Sequence, residues 1–129
     1  MKYQIVIDGR LHGLNEFIAA NRQHPKAGNR MKKEAEGIIT QYVRKYMKDT
    51  AVKEPVVLHY KYYEMNEKRD LDNISGFFHK VFQDAMVRCG ILKNDGWKNI
   101  RGFTDEFYVD KNRPRIEVII EETEKQVVL

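Results

Sequence analysis

The apolar pattern of residues 73–89 restricts the fold more than any other feature of the chain. The pattern recurs at a helical period and forms one wide stripe, made of Ile74, Phe77, Phe78, Val81, Phe82, Ala85, Met86 and Cys89. His79 and Lys80 fall on the polar side. The pattern predicts an amphipathic helix over this range, and Gly90 follows it where a left-handed C-terminal cap belongs.

Four shorter segments are predicted as β-strands. Residues 2–8 alternate apolar and polar side chains, and so do residues 56–63. One face of the second segment is formed by Val56, Leu58, Tyr60 and Tyr62. Two more strands are expected near 100–110 and 115–122, with Pro114 between them.

A second main helix is expected from about Arg30 to Lys48, because apolar residues recur there at helical spacing. Residues 9–29 are expected to be irregular, with a short helix at 15–22 and a loop around His24–Gly28. The order of elements predicts an α+β fold, with a mixed sheet of about four strands covered by two main α-helices. A length of 129 residues suits one core, so residues 1–129 are predicted to form a single domain.

Charge is concentrated in one part of the chain. The formal net charge is +4, but residues 21–48 contain eight Lys or Arg and only two Glu. Such a stretch, which includes Lys32 and Lys33, fits a footprint for phosphate backbones. A solvated helix face explains it equally well.

The sequence also predicts a compartment. Cys89 is the only cysteine, so no intramolecular disulfide forms and a reducing environment is expected. No long apolar run precedes Asp8 and none approaches the length needed to span a bilayer. We therefore expect a cytoplasmic protein with no membrane partner.

The stretch RDLDN, at residues 69–73, carries the clearest chemical signal. If the segment is extended, Asp70 and Asp72 share a face while Leu71 turns toward the core. Two carboxylates on one face suit Mg²⁺ or Mn²⁺, and Asp95 in the KNDGW turn is the best candidate for a third acid. The alternative is that Asp72 caps the helix and Asp70 is a surface charge.

A wider set of motifs resembles the RusA family of Holliday junction resolvases. The set consists of RDLDN, a helix with Lys80 and DAM at 84–86, Gly90, and an acidic turn at 94–95. GLNEF at 13–17, the basic helix and the closing strand PRIEVIIEE also lie where this family has them. Its members are small endodeoxyribonucleases, and many are carried by phages and prophages.

The resemblance implies a function and its residues. It implies a homodimer that binds branched DNA, in particular a four-way junction, and makes paired nicks with Mg²⁺, for which Mn²⁺ can substitute. Asp70, Asp72 and Asp95 match the three catalytic, metal-binding acids, and Lys80 matches a catalytic lysine near the phosphate. Contacts with DNA are expected from Lys32, Lys33, Lys68 and Arg69, although Lys68 and Arg69 also fit a simple balancing of nearby acids.

Three positions depart from the family pattern. The family lysine usually lies four residues after the second Asp, where this chain has Gly76, so Lys80 implies one extra helical turn. Asn94 replaces one of two paired acids, and Trp97 stands where Gln is common. Trp97 either stacks on a base or is half-buried. These departures leave open a DNA-binding protein that recognises junction shape without cleavage, and a related nuclease acting on flaps.

Overall fold

Seven regular elements follow one another in residues 1–124, the part of the chain that the computed structural model describes; the last five residues of the predicted 1–129 domain lie outside the described residues. The elements are β1 (Lys2–Asp8), α1 (Leu14–Gln23), α2 (Pro25–Met47), β2 (Val56–Glu64), α3 (Leu71–Arg88), β3 (Ile100–Val109) and β4 (Arg115–Glu122). The α+β class is confirmed. No helix among these residues is long and apolar enough to cross a bilayer.

The four strands form one mixed sheet in the order β1-β4-β2-β3. β4 pairs antiparallel with both β1 and β2, whereas β2 and β3 are parallel. A parallel pair needs a long crossover connection, and α3 provides it. The crossover brings the start of α3 close to the end of β2, and it leaves β3 on an edge of the sheet.

The core lies between α3 and the inner face of β2. Tyr60 and Tyr62 are fully buried, and their rings meet the Phe78 ring edge to face at 5.7 and 5.9 Å. Such aromatic pairs add to the stabilisation that comes from burial alone. The predicted apolar stripe of α3 and the predicted inner face of β2 are both confirmed.

Two helix boundaries differ from the predictions. α2 begins at Pro25, so the loop expected at His24–Gly28 is wrong. His24 caps this helix by accepting a hydrogen bond from the Lys26 backbone, and proline suits the first helical position. α3 begins at Leu71 instead of Asn73, and Leu71 is 55% exposed because it lies on the first turn instead of facing the core.

A pair of glycine substitutions tests the end of α3. Gly90 has a φ of +75° and Gly37 lies within α2, and a Cβ at either position meets nothing within 4 Å. Gly90→Ala should lower the free energy of unfolding by about 1–2 kcal/mol because of its left-handed backbone. Gly37→Ala should raise it by about 0.5–1 kcal/mol. Urea denaturation measures both, and changes of the same sign would contradict this description of the helix end.

Candidate active site

A salt bridge closes the loop between β2 and α3. Arg69 Nε and Nη2 donate to the two carboxylate oxygens of Glu64, each at 2.9 Å. The same guanidinium donates from Nη1 to the Leu11 carbonyl oxygen at 3.0 Å. Both charged side chains are largely buried, at 11% and 12% exposure. Bidentate pairing fixes geometry as well as charge, so Arg69 holds the segment that leads into Asp70.

Asn73 holds the backbone on the other side of Asp70 and Asp72, the two acids of the RDLDN stretch. Its side-chain oxygen accepts a hydrogen bond at 2.8 Å from the Asn15 backbone N–H, in the first turn of α1. Gly13 precedes that turn, and a Cβ there would lie 2.4 Å from the same oxygen. The glycine therefore allows close approach, and Asn73 acts as a cap for α1 in place of a local side chain. The start of α3 is thereby docked against α1.

Asp70 and Asp72 lie between these two anchors. Asp70 is the N-cap residue of α3, but its side chain makes no capping hydrogen bond. Asp72 lies in the first helical turn, and both residues are exposed. Within residues 1–124 neither carboxylate has a hydrogen bond or an ion pair. The proposed capping role of Asp72 is therefore wrong, and both carboxylates are available to a ligand.

A cleft of about 740 Å³ opens beside Asp70. Its walls come from the end of β2, the following loop, the start of α3 and residues 105–109 of β3. The acids that line it are Glu64, Glu67, Asp70, Asp105 and Glu106. Arg69 is the one cation among its lining residues in the described chain. Close carboxylates repel one another, and a bound cation relieves that repulsion.

Asp105 is held in this cleft by two donors that sequence analysis did not identify. Its Oδ1 atom accepts from Tyr62 Oη at 3.0 Å and lies 2.7 Å from His79 Nε2. Burial, together with the nearby charge of Asp105, raises the pKa of Tyr62 far above its usual value, so this hydroxyl remains a neutral donor. The only sequence signal for this network is an acid on the same face of β3 as Phe103 and Phe107.

Lys80 and Asp95 meet on the other side of α3. Lys80 Nζ lies 3.1 Å from Asp84 Oδ1 and 3.4 Å from Asp95 Oδ2. Lys32 of α2 approaches the other oxygen of Asp84 at 3.3 Å. The hydrogen bond that Lys80 donates to Asp84 raises the pKa of Lys80, which stays cationic at neutral pH. The structure thus brings together three of the residues predicted from sequence, Lys32, Lys80 and Asp95, in a chain of alternating charges with Asp84.

The first two predicted acids, Asp70 and Asp72, are separated along α3 from Lys80 and its partner Asp95. Lys80 lies eight positions after Asp72, which is about 12 Å of helical rise. Within residues 1–124 no three His, Cys, Asp or Glu side chains are close enough to hold a metal together. The prediction that Asp70 and Asp72 lie in an extended segment is wrong, because Leu71 and Asp72 already belong to α3. Both residues are exposed, and Mg²⁺ often uses only one or two carboxylates and keeps several waters.

The predicted DNA-binding residues have different surroundings. Lys33 is exposed and lines a shallow depression with Lys26 and Arg30, whereas Lys32 is paired with Asp84. Lys68 is exposed beside the acidic pair. Arg69 differs from these lysines because its guanidinium is engaged by Glu64 and Leu11. Its contacts fit an anchoring role in the fold.

Replacing Arg69 tests that anchoring role. Arg69→Ala leaves Glu64 without its partner and should lower the free energy of unfolding by about 3 kcal/mol. Lys68→Ala is the matched control and should leave stability unchanged while it weakens DNA binding. Urea denaturation and a DNA titration measure both effects. Unchanged stability with weaker DNA binding in Arg69→Ala would instead make Arg69 a phosphate contact.

Comparison with known protein families gives one match. Residues 15–121 match the family described as endodeoxyribonuclease RusA. The match covers most of the chain and includes α1, the acidic pair, all of α3 and the turn that carries Asp95. No curated protein matches the sequence significantly. Because the family match extends over far more than half of its length, the chain belongs to the RusA endodeoxyribonuclease family.

Proposed function

We propose that this protein is a metal-dependent endodeoxyribonuclease that resolves four-way DNA junctions by paired, symmetric nicks. The observation that carries the proposal is the position of Asp70 and Asp72, exposed and without partners in the described chain, inside a sequence that belongs to an endodeoxyribonuclease family. A two-fold dimer suits the substrate, because two copies present two such pairs in matching orientation.

Asp70 and Asp72 are the residues that would hold Mg²⁺, with Mn²⁺ as a substitute. When bound, the ion supplies charge neutralisation at the phosphate and a more acidic bound water. The chain contributes rigidity: Arg69 and Asn73 fix the backbone on either side of the pair. The backbone that carries the two carboxylates is therefore already in place when a phosphate approaches.

Lys80 and Asp95 would act from the middle of α3. The ammonium group of Lys80 can donate to a phosphate oxygen if it exchanges one of its two carboxylate partners. Asp95 is proposed as the third acid, and its pairing with Lys80 keeps it 3.4 Å from a cation until DNA or metal competes for it. Both roles require the turn that carries Asp95 to stay close to α3.

A second candidate function is junction binding without cleavage. Two observations favour it: Gly76 occupies the usual position of the family lysine, and no three acids within residues 1–124 are grouped for a metal. Nicking that depends on a divalent metal separates the two functions. A related nuclease acting on flaps would cut a flap substrate faster than a four-way junction.

Replacement of the acidic pair gives the most specific test of the chemistry. Asp70→Asn and Asp72→Asn keep the side-chain shape but lose the charge that holds a cation, so each should abolish cleavage. Junction binding should be unchanged or tighter, because an acid near phosphates has been removed. Asp49→Asn is the matched control, since Asp49 is exposed beside Cys89 and Gly90 at the far end of α3. Cleavage by either site variant at the rate of this control would contradict the proposal.

The contacts of Lys80 with Asp84 and Asp95 lead to a separate prediction. Lys80→Ala should lower the cleavage rate by more than about tenfold, which corresponds to about 1.4 kcal/mol in the barrier, with little loss of binding. Asp95→Asn should abolish cleavage, and Lys2→Ala, an exposed lysine of β1 that pairs with Glu121, should change nothing. Single-turnover assays on a labelled junction measure these rates. Parental cleavage in Asp95→Asn, with loss of cleavage in Asp105→Asn, would move the third acid into the cleft.

A further inference from the structure

Trp97 is the side chain whose exposure the fold does not explain. It is the only tryptophan in the chain, and it is 98% exposed. The half-buried packing role expected from sequence is therefore wrong. A large aromatic side chain gains considerable free energy when it is covered. The exposed indole is therefore available to a ligand.

The turn that carries Trp97 is anchored at several points. Glu54 Oε1 accepts hydrogen bonds from the Lys93 backbone at 2.9 Å and from the Asn99 side chain at 3.3 Å. The Gly96 carbonyl accepts from the backbone N–H groups of Asn99 and Ile100, each at 3.0 Å. Ile91 and Leu92, just before the turn, are buried. The exposure of Trp97 is therefore a property of a fixed turn.

The charges around Trp97 favour an anionic occupant. Residues 93–101 contain Lys93, Lys98 and Arg101, and a single acid, Asp95. Glu54 is a second acid at the turn, and its carboxylate is engaged by Lys93 and Asn99. Asp95 is itself paired with Lys80. A second copy brought onto this turn by a two-fold axis would place the same cations against one another. An exposed aromatic ring flanked by lysines is the combination that binds bases and phosphates together.

We propose that Trp97 stacks on a base exposed at a DNA branch point. The inference rests on the proposed function, because it takes branched DNA as the substrate. Bases within a continuous duplex are covered by their neighbours, whereas a branch point offers bases that can be unstacked. Trp97 is two residues from Asp95, so their Cα atoms are within about 7 Å of each other. A stacked base would fix the branch point relative to Lys80 and Asp95.

Because Trp97 is the only tryptophan in the chain, its fluorescence emission reports directly on this contact. Without divalent metal, a four-way junction should quench the emission of Trp97, and a duplex of the same length and base composition should not. Trp97→Ala should weaken junction binding on the order of tenfold and leave duplex binding unchanged. Trp97→Phe keeps a stacking ring and should retain most of the junction affinity. Circular dichroism should show the same fold for all three proteins.

The outcomes separate this inference from the proposed function. Junction binding with no change in emission, and with equal affinity in Trp97→Ala, overturns the stacking role alone. Emission that shifts to shorter wavelength with protein concentration, without DNA, assigns Trp97 to a contact between copies and also overturns it. A parent protein that binds neither junction nor duplex overturns the proposed function and the stacking role with it.

Discussion

The ion pair between Arg69 and Glu64 is the interaction on which the rest of the candidate site depends. Five carboxylates line one cleft, and Arg69 is the one cation that lines it in the described chain. Its bidentate contact with Glu64 offsets part of the repulsion and also joins the end of β2 to the start of α3. The position of Asp70 and Asp72 follows from that connection, because they belong to the residues that come directly after it.

Neighbouring residues of the stretch RDLDN therefore have different roles. Arg69 and Asn73 make the contacts that hold the backbone, one to β2 and one to α1. Asp70 and Asp72 make no such contacts within residues 1–124, and they face solvent. Two residues that stabilise the fold thus flank the two acids that are left for a ligand. This division explains why a sequence would place two repelling acids at the start of a helix beside an arginine.

The sequence predicted the elements that have a regular apolar period. It did not predict the features that depend on individual contacts. The stripe of α3 and the inner face of β2 were predictable because burial repeats at a fixed interval. The capping of α2 by His24 was not, because it depends on a single hydrogen bond from the Lys26 backbone. The start of α3 at Leu71 was not either, because no side-chain cap marks it. The pairing of Lys80 with Asp95 and the network of His79, Tyr62 and Asp105 join distant segments, so their partners could not be read from spacing. Asp70, Asp72 and Asp95 could be chosen as candidates from their motifs, whereas the exposure of Asp70 and Asp72 became visible only in the structure.

The central claim is that two acidic pairs, one in each subunit of a dimer, make two metal-dependent nicks in one bound junction. A supercoiled plasmid that extrudes a cruciform tests it directly, with agarose electrophoresis of the products over time. With Mg²⁺, the account predicts that supercoiled DNA is converted directly to the linear form, and that nothing is cut in the presence of EDTA. Accumulation of nicked circles as the main early product, or cleavage that persists in EDTA, would contradict it.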